Sequence, residues 1–102
     1  MTSAGAAKNY LGLYDQAVPW FRRAIEANRN FPLPHFLLAA ALAQLGRLDE
    51  ARSAVKAGLA LDPAFAISRY RAGRAARSDN PRYLAGHERI VEGMRKAGLP
   101  EQ

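Results

Sequence analysis

A single step of 34 residues constrains this chain more than any other feature of its sequence. The step separates Gly12 from Gly46, and it also carries Leu11 to Leu45, Asp15 to Asp49, Ala17 to Ala51 and Phe31 to Phe65. Self-similarity at a fixed period marks a fold built from repeated units, none of which can bury its apolar face alone. The two aligned stretches, LGLYDQAVPWFRRAIEANRNF and LGRLDEARSAVKAGLALDPAF, each read as a turn followed by a helix. Glycine supplies the left-handed stop of the preceding helix, and Asp15 and Asp49 then stand where an N-cap accepts from free backbone amides. So short a turn makes the flanking helices antiparallel.

The helix that follows each turn carries one apolar stripe. Tyr14, Ala17, Phe21, Ala24 and Ile25 recur as Leu48, Ala51, Val55, Gly58 and Leu59. The small members let a neighbouring helix come close and the large ones fill the gaps, a code for stacked helices. Pro19 is expected in the first turn of its helix, where a missing amide costs little. Between the two stripes lies PHFLLAAALAQL, Pro34 to Leu45, which is apolar almost all round and is therefore expected to be buried on most sides. Asp62-Pro63 closes that unit, because proline disfavours a helical conformation in the residue before it.

A degenerate third unit follows at a step of 35, in which Tyr83, Gly86, Ile90, Gly93 and Met94 repeat the stripe. Ser78-Asp79-Asn80-Pro81 starts its last helix and Gly98 ends it. Before it, Phe65 to about Arg77 is expected to form a shorter helix, weakened by Gly73. Counting back from Gly12 leaves only Ala4 to Leu11 for the opening helix. The division is thus a single domain over 1–102, with a truncated repeat at 1–31, a complete one at 32–65, and a degenerate one with a closing helix at 66–98. A truncated first unit exposes apolar surface that needs cover, either from a longer protein or from a second copy of the chain.

Composition removes several function classes. The chain has 102 residues, enough for one modest core, and no cysteine, which excludes disulfides, thiolate nucleophiles and Cys-based metal sites. The longest apolar run, Phe36 to Ala43, is too short to cross a bilayer, and MTSAGAAKNYLG lacks the basic start and apolar segment of a leader, so a cytoplasmic location is expected. The net charge of +6 favours an anionic partner. Arginine outnumbers lysine twelve to three, however, which a GC-rich genome would produce with no functional demand.

The period of 34, the small and large pair Ala17 and Phe21 with its counterpart Ala51 and Val55, and the closing Pro63 resemble the tetratricopeptide-repeat (TPR) pattern. The chain departs from that pattern at His35, where an aromatic is common, at Ala39, where a glycine is, and at Arg29, where a proline is. Residues 10 to 101 further resemble the C-terminal TPR tails of bacterial proteins that carry a class III adenylate cyclase or transcription-regulator domain upstream. The resemblance implies an all-α fold of TPR-like antiparallel hairpins in a right-handed α-solenoid of about 2.5 to 3 repeats, ended by a closing helix from Pro81 to Ala97. It implies a non-catalytic module that binds a protein or peptide and regulates what is attached to it.

By the same resemblance the first helix of each pair lines a groove, placing Phe36, Leu37, Ala40 and Gln44 there, with Asn9 and Tyr10 from the first unit. Arg71 joins them at either register of the third unit and Arg74 at a step of 34; a guanidinium fork there suits a carboxylate. The opposing reading makes Arg69, Arg71, Arg74, Arg77 and Arg82 a solvated face. Thr2, Ala6 and Leu37 stand where relatives that clamp a chaperone's C-terminal carboxylate need polar groups, so no such binding is expected. His35 and His87 have no metal-ligand spacing, and no catalytic constellation or cofactor motif stands out, so neither metal, cofactor nor enzymatic role is expected. Two rival readings stay open: a basic helical module binding nucleic acid, which rests on charge alone, and a purely structural module that dimerises through the truncated first repeat.

Overall fold

The computed structural model of the chain describes residues 13–75 and 81–102, with the side chains of 73–75 and 81–85 left aside. Five helices lie within them: α1 (Tyr14–Ala27), α2 (Leu33–Gln44), α3 (Leu48–Leu61), α4 (Ile67–Ala75) and α5 (Pro81–Ala97). The fold is all-α, and the described residues contain no strand. Residues 1–12, where the truncated opening helix is expected, and 76–80, with Arg77, lie outside the described residues.

The 34-residue step survives as geometry. The residue before α1, Leu13, has φ −90° and ψ 61°, and the one before α3, Arg47, has φ −88° and ψ 66°. The residues that end the two helices, Asn28 and Asp62, both donate to the carbonyl four residues back and both accept from the phenylalanine three residues on, Phe31 and Phe65. Two stretches of different sequence therefore take the same path, because they share turn chemistry and the same alternation of small and large residues.

The glycine stops act as expected. Gly46 (φ +80°) and Gly98 (φ +94°) adopt the left-handed conformation that costs other residues a steric penalty. Around each, paired bonds close the helix: Gly46 N to Ala43 O at 3.0 Å with Arg47 N to Leu42 O at 2.9 Å, and Gly98 N to Arg95 O at 3.0 Å with Leu99 N to Met94 O at 3.1 Å. The aspartate caps require correction. Asp15 and Asp49 are the second residues of α1 and α3, and no side chain caps either helix. The motif around Gly46 uses Arg47 as its last donor, which moves Asp49 into the first turn; there it still complements the helix dipole. Pro19 is the sixth residue of α1 and so falls in the second turn, not the first. It sits on an exposed face beside exposed Asp15, so the backbone carbonyl that its missing amide leaves unbonded is open to solvent.

Packing centres on α2. Nine of its twelve residues are buried, Pro34 and Phe36 to Ala43 without interruption. It packs most extensively against α3 and α5, then against α1. The repeated stripe is the buried face each time: Ala17, Phe21 and Ala24 on α1, Ala51, Val55 and Gly58 on α3, Gly86, Ile90, Gly93 and Met94 on α5. All three copies converge on one central helix, which explains why that helix has no charged residue and is built mostly of alanine and leucine. Phe36 stacks on Phe65 with centroids 3.8 Å apart, and a Cβ on Gly58 would fall 2.6 Å from the Phe36 ring. Each large apolar side chain buried in this way contributes about 1.5–3 kcal/mol.

α4 is a minor element. Among the described side chains of its region Phe65, Ala66, Ile67 and Tyr70 are buried, and α4 touches α5 alone among the described helices. It begins at Ile67, two residues later than expected, and its start is held by the chain's own tail. Ile67 N and Ser68 N donate to the carbonyls of Pro100 and Glu101, both at 2.9 Å, satisfying amides that a helix N-terminus leaves free. Arg95 pairs with the Glu101 carboxylate and fixes that tail.

Candidate functional site

If partner-facing residues lie on the first helix of each pair, the face of α2 bearing Ala40 and Gln44 is the place to look. In this chain that face is taken by α5. Gly93 comes so near that a Cβ on it would stand 2.5 Å from the Ala40 carbonyl oxygen. Further along, Gln44 Nε2 donates to the Arg89 carbonyl at 2.9 Å while its Oε1 accepts from Lys96 Nζ at 2.8 Å. Phe36 and Leu37 are 0% and 2% exposed. The expectation that these two line an open groove is therefore corrected: both are core residues in this structure.

The physical reason lies in α4. In a regular stack the stripe of α5 would bury against the first helix of its own pair. That helix, ISRYRAGRA, offers Ile67 and Tyr70 and little else that is apolar. Ile90, Val91 and Met94 find a larger apolar surface on α2, and α5 settles there.

The remaining groove candidates divide. Arg71 is exposed, and its guanidinium already holds a carboxylate within the chain, that of Glu88 on α5 at 3.0 Å. Glu88 and Arg89 are adjacent, so Arg71 and Gln44 both end on one turn of α5. Arg74 belongs to α4, but its side chain is outside the described residues, as are Tyr10, Asn9, Arg77 and the side chain of Arg82. Arg69 caps its own loop, donating to Ala64 O at 2.7 Å.

The two histidines are placed by packing. His87 Nδ1 lies 3.1 Å from the Tyr70 hydroxyl, a part-buried contact that ties α4 to α5. His35 is half-buried, and its Nε2 is buried without a hydrogen bond to the protein. It lines a cleft of about 330 Å³ between α1, α2 and α3, whose rim carries the Arg22 to Glu50 pair at 3.1 Å. Arg47 also holds Glu50, through Nε at 3.0 Å and Nη2 at 2.7 Å. These groups are about half exposed, so each pair contributes at most about 1 kcal/mol. No group of three His, Asp or Glu residues among the described ones is disposed to hold a metal ion.

One surface went unnoticed in the sequence. α3 and the C-terminal end of α5 enclose an open groove of about 530 Å³, lined by Arg52, Lys56, Val55, Leu59 and Ala97. Its signal was available: Arg52 and Lys56 are four apart on α3 and so share a face, flanked by Val55 and Leu59 from the apolar stripe.

The family model of the tetratricopeptide repeat matches residues 10–76, and the chain belongs to the TPR family. No curated protein and no solved structure matches it. Proteins of this family use stacked helical repeats to mediate contacts with other proteins, through extended surfaces that the stacking creates. No helix among the described residues is long and apolar enough to cross a membrane.

Proposed function

We propose that this chain is a non-catalytic module that binds an acidic protein segment, and that it serves as the regulatory tail of a larger bacterial protein in the cytoplasm. Membership of the TPR family carries the reading: α1, α3 and α5 pack around α2 and leave cationic side chains at the surface. The net charge of +6 gives the partner its expected sign. On the face assigned by resemblance, Gln44 and Arg71 would meet a partner by exchanging their contacts with Arg89, Lys96 and Glu88, while Arg74 and Tyr10 are assigned to it from the sequence alone. Phe36 and Leu37 are core residues and do not belong to that surface.

The test is affinity capture with the tagged chain in nuclease-treated extract, followed by calorimetric titration of the captured protein once purified. Saturable binding of one protein supports the module. Retention of DNA or RNA of any sequence, falling steeply with salt, contradicts it and favours the nucleic-acid reading, which rests on the same charge. A concentration-dependent dimer in sedimentation with no captured protein would favour the structural role.

A further inference from the structure

We propose that the groove between α3 and the C-terminal end of α5 is the docking surface, and that its occupant is an acidic amphipathic helix of a partner protein. This rests on the protein-binding role proposed above and names the surface and the chemistry it selects. The groove is apolar at its floor: Val55 is 8% and Ala97 2% exposed, with half-buried Leu59 beside them. Its wall is cationic. Arg52 and Lys56 are exposed, and no carboxylate lines the cavity.

Neither cation is strongly engaged within the chain. Arg52 Nη1 lies 3.6 Å from Asp49 Oδ1, a carboxylate that is itself fully exposed. Lys56 makes no ion pair among the described residues. Four other arginines hold carboxylates within the chain: Arg22 and Arg47 that of Glu50, Arg71 that of Glu88, Arg95 that of Glu101. Arg52 and Lys56 thus keep charge for an incoming acid beside the apolar floor.

The combination selects the class of ligand. Two helices form the walls, so a third helix can lay large side chains between them, as in helix-in-groove recognition. Leucine or phenylalanine anchors would cover Val55, Leu59 and Ala97, while flanking carboxylates meet Arg52 and Lys56. A phosphate backbone would satisfy the cations and leave the floor bare, which disfavours nucleic acid here. The cleft beside His35 lacks this character, because the charged groups at its rim, Arg22 and Glu50, are paired with each other. The polar cleft by Gln44 carries both Glu88 and Glu92.

The experiment titrates the full chain with a labelled synthetic peptide holding a leucine and a phenylalanine one helical turn apart among glutamates, beside its glutamine counterpart and a DNA duplex. Backbone amide and methyl resonances locate the binding. Expected are shifts at Val55, Leu59 and Ala97, tighter binding of the glutamate peptide than of either alternative, and weakening of about fivefold for each of Arg52→Glu and Lys56→Glu. Arg29→Glu, outside the groove, should change affinity far less. Four results would overturn the proposal: no binding, equal affinity for the glutamine peptide or the duplex, equal weakening by Arg29→Glu, or shifts centred on Gln44 and Arg71. The last would move the surface and leave the protein-binding role intact.

Discussion

The helices α1 to α3 and the pair α4 and α5 carry the same pattern of small and large residues, yet they pack differently. In the first region the pattern governs both which side chains are buried and what they meet: α2 receives α1 on one side and α3 on another, and the turns that lead into α1 and α3 match in geometry. In the second the pattern governs only the burial. Ile90, Gly93 and Met94 are as buried as their counterparts, but against α2, while α4 is left at the margin. A repeat thus fixes which face of a helix leaves water; the partner is chosen by whichever neighbour offers enough apolar area.

The largest expected effect lies at the point the two regions share. Phe36→Ala removes the ring that meets both Phe65 and Gly58, and should cost about 3–5 kcal/mol. Denaturation followed by Trp20 fluorescence and by circular dichroism should then shift together, since one core serves both regions. A loss of partner binding at full stability would instead make Phe36 a surface anchor. Next comes Met94→Ala, expected to cost about 2–5 kcal/mol in urea unfolding. A cost near zero would mean that α5 is only loosely attached and that the comparison is overdrawn.

Gly93→Ala sharpens the same point with less force. Alanine favours a helix over glycine by about 1 kcal/mol, but its Cβ would press on the Ala40 backbone, so a net loss of about 1–2 kcal/mol is expected in thermal melts. A stabilised variant would show that the approach is looser than described. The smallest effect is at Gln44: replacement by alanine removes two hydrogen bonds to α5 and should cost about 1 kcal/mol by chemical denaturation. Slowed exchange of α5 amides in that variant would contradict the bridge.

These two regions also differ in how far their sequence could be read. The stripes, the stops at Gly46 and Gly98 and the limits of α5, Pro81 to Ala97, follow from local rules and stand in the structure. What was hidden depends on pairs distant in sequence. Gly93 announces a close approach without saying to which helix, and the shortage of apolar residues in ISRYRAGRA was the available hint. Pro100 and Glu101 cap α4 through backbone carbonyls, which leave no mark on residue type. The groove assignments failed at Phe36 and Leu37 because an apolar side chain on an all-apolar helix looks the same whether a partner or the chain's own helix covers it. Arg71 was read as a cation for an external carboxylate, and its nearest one, Glu88, is internal.

The account turns on α5 lying along α2, and a nuclear Overhauser experiment on the full chain addresses it directly. Cross-peaks between the α-protons of Gly93 and the protons of Ala40 are predicted. Their absence, with Gly93 contacts confined to α4, would contradict it.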